Sequence, residues 1–408
     1  MMKNSKSSFW DSQAIKTFGS LGLAASMMSF LLLLTLLGTL EQMNMGIYQV
    51  QKKYFESLFV TECFGYPIFL PGGMLCMVIF TLNLMVGGIL RLRLNKSNIG
   101  VFIIHVGIAL MMSAGLVKLM AGQEGYLRLL EGDKASEYVS HHEWEIAVFE
   151  DGPGEIKEYT LHERYWRNSD AKETPEALVM SGNADLPFDL HLDFMHDNCM
   201  PEEVEPGNSS MDSTYVLDGW TLSARPMDAE NERNLPGLRI WTSPIGDEDA
   251  QEISEVSFLY GGQYLPWTFQ AEGKDFAVAL RKVRHSMPFS IELDNFEKVD
   301  YPGISMAKEF RSDVTQASNG TSRKVRIEMN DPLRDQGLIL FQSSWGPPNA
   351  KPGDTLYSVF AVVHNPSDHW PLYSCIIIGI GMALTFTQKF VAYGRRQSKR
   401  RKESPDEA

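Results

Sequence analysis

His105 offers the most direct chemistry in this sequence. It is the only titratable side chain in the apolar run IGVFIIHVGIALMMSAGLV at 99–117, and an ionisable group in such a run is a functional candidate by default. A neutral imidazole there can ligate a haem iron or relay a proton. The competing explanation is a histidine hydrogen-bonded to a neighbouring helix, and composition alone divides evenly between the two. At 1.5 Å per residue, His105 lies roughly 9 Å from the start of its helix. Gly100, Gly107 and Ala114 recur every seven residues around it, and Gly107 stands about 200° around the helix from His105. The small stripe can therefore pack closely on one helix while His105 faces another element. Asn83, in TLNLMVGGIL, has a similar depth. It can serve as a second-shell partner of the imidazole or bond across helices.

Elsewhere the chemistry is thinner. His191-x4-His196-x2-Cys199, in HLDFMHDNCM, contains possible metal ligands. Without a second pair the spacing is a weak signal, and a mobile polar loop is the expectation. His141 and His142 are adjacent, so in a strand they face opposite ways and are expected at the surface. His364 and His369 precede the last apolar run, where they could touch a cofactor or simply be interfacial polar residues. Cys63, Cys76, Cys199 and Cys375 form neither CxxC nor CxxCH. This argues against a thiol–disulfide oxidoreductase and against covalently carried c-type haem. No catalytic triad motif, phosphate loop or HExxH motif occurs.

Four apolar runs must position these residues: 21–40, 68–90, 99–120 and 371–390. Each is near the length that spans a bilayer as helix. Lysines and arginines cluster at the N-terminus, at Arg91, Arg93 and Lys96, and in the tail after Arg395. With four spans these clusters fall on one side, so both termini are expected in the cytoplasm and the 121–370 segment outside, in the periplasm of a Gram-negative cell. The formal charge of −14 separates into −23 for 121–370 and +9 for the rest. The mean hydropathy of −0.16 is likewise an average of two unlike parts. The net negative charge argues against nucleic acid as a partner, since counterion release needs a basic surface. Four cysteines in 408 residues exclude a disulfide scaffold. The 121–370 segment alternates apolar and polar residues in IELDNF and VRIEM and is punctuated by Gly, Pro, Asn and Asp. It predicts an antiparallel β-rich domain, a sandwich or open barrel, with acidic loops near 150–210. The order is a cytoplasmic segment 1–17, three helices in 18–120, the β-rich domain 121–370, a fourth helix 371–390 and a basic cytoplasmic tail 391–408.

The sequence resembles the ResB family, also called CcsB, of cytochrome c biogenesis membrane proteins. The resemblance lies in FGSLGLAASMMSFLLLLTLLGTLEQ followed by GIYQVQKKYFESLFV, in TLNLMVGGILRLR, and in the His105 helix. It continues in EGYLRLLEGD and in IEMNDPLRDQGLILFQSSW, with a final helix and basic tail. The resemblance implies a subunit in the bacterial inner membrane that pairs with a CcsA/ResC-type integral membrane protein. Together they would move haem b outward and attach it to apocytochrome c. It further implies that His105 is an axial ligand of the haem iron, shared with a partner histidine. This chain lacks a tryptophan-rich WWD-type motif, so it would be an accessory subunit of the haem lyase, with attachment chemistry in the partner. Another reading is a membrane-tethered assembly protein that never touches haem. A proton-coupled transporter is weaker, since one ionisable residue offers little of a pathway.

Overall fold

The computed structural model describes residues 12–92, 94–151, 156–167, 186–204, 213–245, 253–303, 307–347 and 354–403. The chain divides into two compact units, one containing the apolar helices and one formed by Gln123–His364.

In the helical unit a short helix, Gln13–Phe18, precedes α1 (Leu21–Met45), whose N-cap Ser20 accepts from Leu23 N at 3.2 Å. α2 (Gly73–Asn83) continues through Leu84–Leu90 with widened turns, closed by Arg91 N donating to Val86 O at 3.1 Å. α3 is Ile99–Ala121 and α4 is Trp370–Glu403. All four are long and apolar enough to cross a membrane. The second helix begins at Gly73 rather than at 68. Pro67 and Pro71 lack the N–H that a helix interior requires, and the chain there forms a strand instead. The fourth helix runs to Glu403, well past 390, because its basic tail is made mostly of good helix formers with no proline before Pro405. β1 (Phe59–Cys63) and β2 (Tyr66–Pro71) form an antiparallel hairpin between α1 and α2. Its two-residue turn, Phe64–Gly65, has positive φ at both positions, which matches the twist of the flanking strands.

The second unit contains β3 (Gln123–Leu130), β4 (Lys134–Asp151), β5 (Lys157–His162), β6 (Asp189–His196), β7 (Cys199–Glu203), β8 (Trp220–Ala224), β9 (Gly237–Ser243) and β10 (Glu255–Tyr260). It continues with β11 (Trp267–Ala271), β12 (Lys274–Asp300), β13 (Ala307–Ser318), β14 (Thr321–Glu328), β15 (Leu333–Asp335), β16 (Leu338–Gly346) and β17 (Tyr357–His364). The main sheet runs β14-β13-β12-β4-β3-β17-β16-β15, with β11 on β12 and β5 on β4. A smaller sheet is ordered β10-β9-β6, and β7 pairs with β8. Every pairing between these strands is antiparallel among the described residues.

Two apolar cores share β4 and β12. One joins Ile146, Val148, Phe276 and Val278 to Leu190 and Ile240 of the small sheet and to Trp166. The other gathers Leu127, Tyr138, Ile291, Val314, Leu340 and Phe360 inside the curled end of the main sheet. Between them Ser140–Glu143 of β4 oppose the single residue Val283, a bulge at the point where the strands pass from one core to the other. The acidic loop expected near 150–210 is partly a strand. β6 is buried along nearly all its length, and a strand buried on both faces loses the alternation that announces a half-buried one. Residues 152–155, 168–185 and 205–212 of that expected loop lie outside the described residues.

Candidate functional site

α3 presents different residues to its two neighbours. On one side are Gly100, Gly107 and Ala114. A Cβ at Gly107 would come within 2.6 Å of Ile378 Cγ1 on α4, and the Gly381 position of α4 is within 2.8 Å of Gly100 O by the same measure. The Ala114 carbonyl accepts from Ser367 Oγ at 2.8 Å, just before α4. Small residues let these two backbones approach. His105 points the other way. Its Nδ1 is 2.9 Å from the carbonyl oxygen of Gly88, near the end of the widened turns that extend α2. That carbonyl lies in the last helical turn, where carbonyls have no intrahelical donor. Since a carbonyl only accepts, Nδ1 carries the proton and Nε2 carries the lone pair. Nε2 has no hydrogen-bond partner among the described residues, and the ring is half-buried.

This donor set fits a haem iron. An imidazole whose Nδ1–H is held by a backbone carbonyl, leaving Nε2 free, is the usual arrangement of a metal-binding histidine. A haem iron takes its protein ligands one side chain at a time, and His105 has the free nitrogen that would serve as one. Groups of three or more side chains suited to a free metal ion are absent among the described residues.

Asn83 has a different set of partners. Its amide nitrogen donates to Phe18 O at 2.5 Å and to Ser20 O at 3.0 Å. It thus ties α2 to the break between the first short helix and α1, and it makes no hydrogen bond to His105. The imidazole's partner is the Gly88 carbonyl, which the sequence did not mark because the bond is to backbone.

The other histidines are dispersed. His191 is buried in β6, stacked on Trp241 with ring centroids 5.4 Å apart, and its Nε2 is 2.7 Å from Ser243 Oγ. His196 ends β6, and burial lowers its pKa. Cys199 opens β7, and burial pushes its thiol up to about 12. His141 and His142 are half-buried in the β4 bulge rather than at the surface. Near them His285 packs on Tyr138, with centroids 5.1 Å apart. His364 ends β17, and His369 immediately precedes α4.

A further buried group, invisible to motif reading, joins three segments of the helical unit. Glu41 of α1 accepts from Lys53 Nζ at 2.8 Å, from Phe64 N at 3.3 Å and from the Tyr54 hydroxyl. The Tyr54 oxygen in turn lies 3.0 Å from Cys63 Sγ of β1.

Residues 268–352 match the model of the ResB-like family. The ResB-like stretch runs through β11 and on past β16, so it includes IEMNDPLRDQGLILFQSSW and excludes His105. Within it Gln342 of the QSSW run is buried. Its Oε1 accepts from Ser312 Oγ of β13 at 2.6 Å, and its Nε2 donates to Ser358 Oγ of β17 at 2.9 Å. The stretch therefore carries a satisfied polar network across the curled sheet, where an unpaired group would be costly. No curated protein matches the chain.

Proposed function

We propose that this chain is a ResB-like subunit of a cytochrome c synthase complex in the bacterial inner membrane. With a CcsA/ResC-type partner it takes part in moving haem across the membrane and in its covalent attachment to apocytochrome c. The single observation that carries the reading is the geometry of His105: a histidine in a helix fit to span the bilayer, proton fixed on Nδ1, lone pair on Nε2. The family match at residues 268–352 supports a place in such a complex, without reaching His105.

Nε2 would hold the iron of the cargo haem. The chain's own residues hold that nitrogen ready. The Gly88 carbonyl fixes tautomer and ring plane, and the close α3–α4 packing fixes the helix that carries it. His105 would hold the iron from one side, and the resemblance to the ResB family implies a histidine of the partner on the other. The basic helix ends face the cytoplasm and the acidic β-rich unit the periplasm. The subunit is accessory, and bond formation on the cytochrome cysteines belongs to the partner.

The test is co-purification of His105→Ala with the partner. Its membrane haem absorption should be lost and partly restored by added imidazole. Unchanged haem occupancy would sink the assignment. The family match lies in the β-rich unit and not around His105, which favours one alternative: a membrane-tethered assembly protein without haem. That alternative predicts a complex that forms normally and shows no haem absorption even with His105 intact.

A further inference from the structure

The hairpin between α1 and α2 carries an exposed apolar surface. Its residues 58–72 read LFVTECFGYPIFLPG, with Glu62 the one charged side chain and no Lys or Arg. Val60 and Cys63 face inward onto Tyr54 and Cys76. Leu58, Phe59, Phe64, Tyr66, Ile68 and Phe69 are all exposed, and Phe69 and Tyr66 leave 72% and 71% of their surface uncovered. Phe59 and Phe69 stack with centroids 4.9 Å apart. An apolar surface of this kind marks an interaction site.

Three observations identify the occupant. First, the hairpin is fastened where two apolar helices end and begin. Gly72 N donates to Leu58 O at 2.8 Å, and α2 starts at the next residue, Gly73. The Glu41–Lys53–Tyr54 group ties the turn region to α1. Second, the surface continues one that faces lipid. Leu40, Met43 and Ile47, at the same end of α1, are 49%, 84% and 70% exposed. Third, the hairpin is a sheet of only two strands, with both outer edges unpaired among the described residues. Open edges cannot enter hydrocarbon, where backbone groups find no partner, and exposed Glu62 cannot either. The headgroup layer accepts both, and it is where aromatic side chains concentrate.

We infer that the β1–β2 hairpin is a membrane-interface anchor that inserts its aromatic face into the phospholipid headgroup layer where α1 ends and α2 begins. With no basic residue, its insertion needs no anionic lipid. The inference rests on the four helices spanning a bilayer, and the experiment separates the two claims.

A nitroxide is placed singly at Phe69, Leu36 or Tyr264 in the full chain, with Cys375→Ser removing the one exposed thiol; the other three cysteines are buried. The protein is reconstituted in phosphatidylcholine nanodiscs, and collision with oxygen and with a water-soluble nickel chelate is read for each label. Leu36 is 56% exposed in mid-α1 and reports the bilayer core; Tyr264 is 101% exposed in the β-rich unit and reports water. Phe69→Cys should give an oxygen-to-nickel ratio shifted from the aqueous control toward the bilayer control, and unchanged when a third of the lipid is phosphatidylglycerol. A label at Phe59, whose ring stacks on Phe69, gives the same reading if the Phe69 variant does not fold. A ratio equal to that at Tyr264 would overturn the inference. So would protection from both reagents, which would mean that protein covers the hairpin. An aqueous reading at Leu36 would instead overturn the membrane reading itself.

Discussion

A histidine in an apolar helix must satisfy two nitrogens, and here the neighbouring helix end satisfies one. That makes Gly88 as specific as His105. A Cβ at Gly88 would meet His105 Nδ1 at 2.8 Å and Leu84 Cδ1 at 3.0 Å, so Gly88→Ala must tilt the ring or part the helices. We expect reduced membrane haem in the purified complex, a smaller loss than His105→Ala gives. Imidazole should not restore it, because the displaced side chain still fills the site. Equal haem content in Gly88→Ala and wild type would show that the carbonyl does not orient the ligand. Lys282 poses the opposite residue-scale problem, a charge held where charge is disfavoured. Its Nζ donates to His141 O at 3.0 Å and lies 4.1 Å from the Trp144 ring centre. Burial brings its pKa down to about 8, helped by Arg167 and opposed by Glu163 and Glu232. The unfolded lysine keeps the ordinary, higher value, so folding loses stability below about 8 and regains it as pH rises to the unfolded value. Lys282→Met should therefore raise the unfolding temperature at pH 7, by on the order of 1 kcal/mol of stability. The advantage should shrink toward pH 10, and thermal unfolding of the full chain across that range checks both halves.

At the scale of elements, the contrast is between local and long-range information. The stripe of Gly100, Gly107 and Ala114 was legible because helical period alone puts those residues on one face, away from His105. Its partner, α4, is some 270 residues distant, and nothing in the sequence named it. The start of α2 is hidden for a similar reason. Hydropathy continues smoothly through IFLPG, and only the two prolines and the pairing with β1 turn that stretch into a strand. β6 gives no strand signal because burial on both faces removes its alternation. Gly107→Leu tests the α3–α4 contact. It would place a side chain against Ile377 and Ile378, and overpacking of this kind costs about 1–3 kcal/mol. The expected result is a lower unfolding temperature in detergent, with faster proteolysis between the helices and the β-rich unit. Glu41→Ala tests the hairpin's attachment. It leaves Lys53 without its carboxylate in a largely buried setting, a loss of roughly 3 kcal/mol for a broken buried pair. Glu41→Gln, which keeps an acceptor, should lose less.

At the scale of the molecule, the β-rich unit begins and ends on adjacent strands. Gln123 of β3 is registered with His364 of β17, so the unit is an insertion between α3 and α4 that starts and finishes at one place. Both its apolar cores are built from its own strands. Sequence patterning marks the unit as antiparallel β through the alternation in IELDNF of β12 and in VRIEM at the end of β14. It did not reveal that β4 and β12 run through two cores, since a bulge that redirects a strand costs the pattern only a few residues. Residues 123–364 alone should therefore fold as a soluble monomer with a cooperative melt, measurable by circular dichroism. Its pH dependence should follow two histidines. Burial lowers the pKa of His285, with His162 adding to the effect and Glu143 and Glu145 opposing it, and burial lowers that of His196. Each binds its proton more readily in the unfolded chain. Stability is then intact above the unfolded value, falls as pH drops through it, and is fully reduced below the lower folded value. Glu150 and Asp313 are held below the ordinary carboxylate range by Lys274 and Arg326, so their contribution is lost only in stronger acid. The unfolding temperature should drop between pH 7.5 and 5.5, and His285→Gln should flatten that slope. An equal slope in the variant would assign the acid sensitivity to other groups, and an insoluble fragment would mean that the cores need the helices.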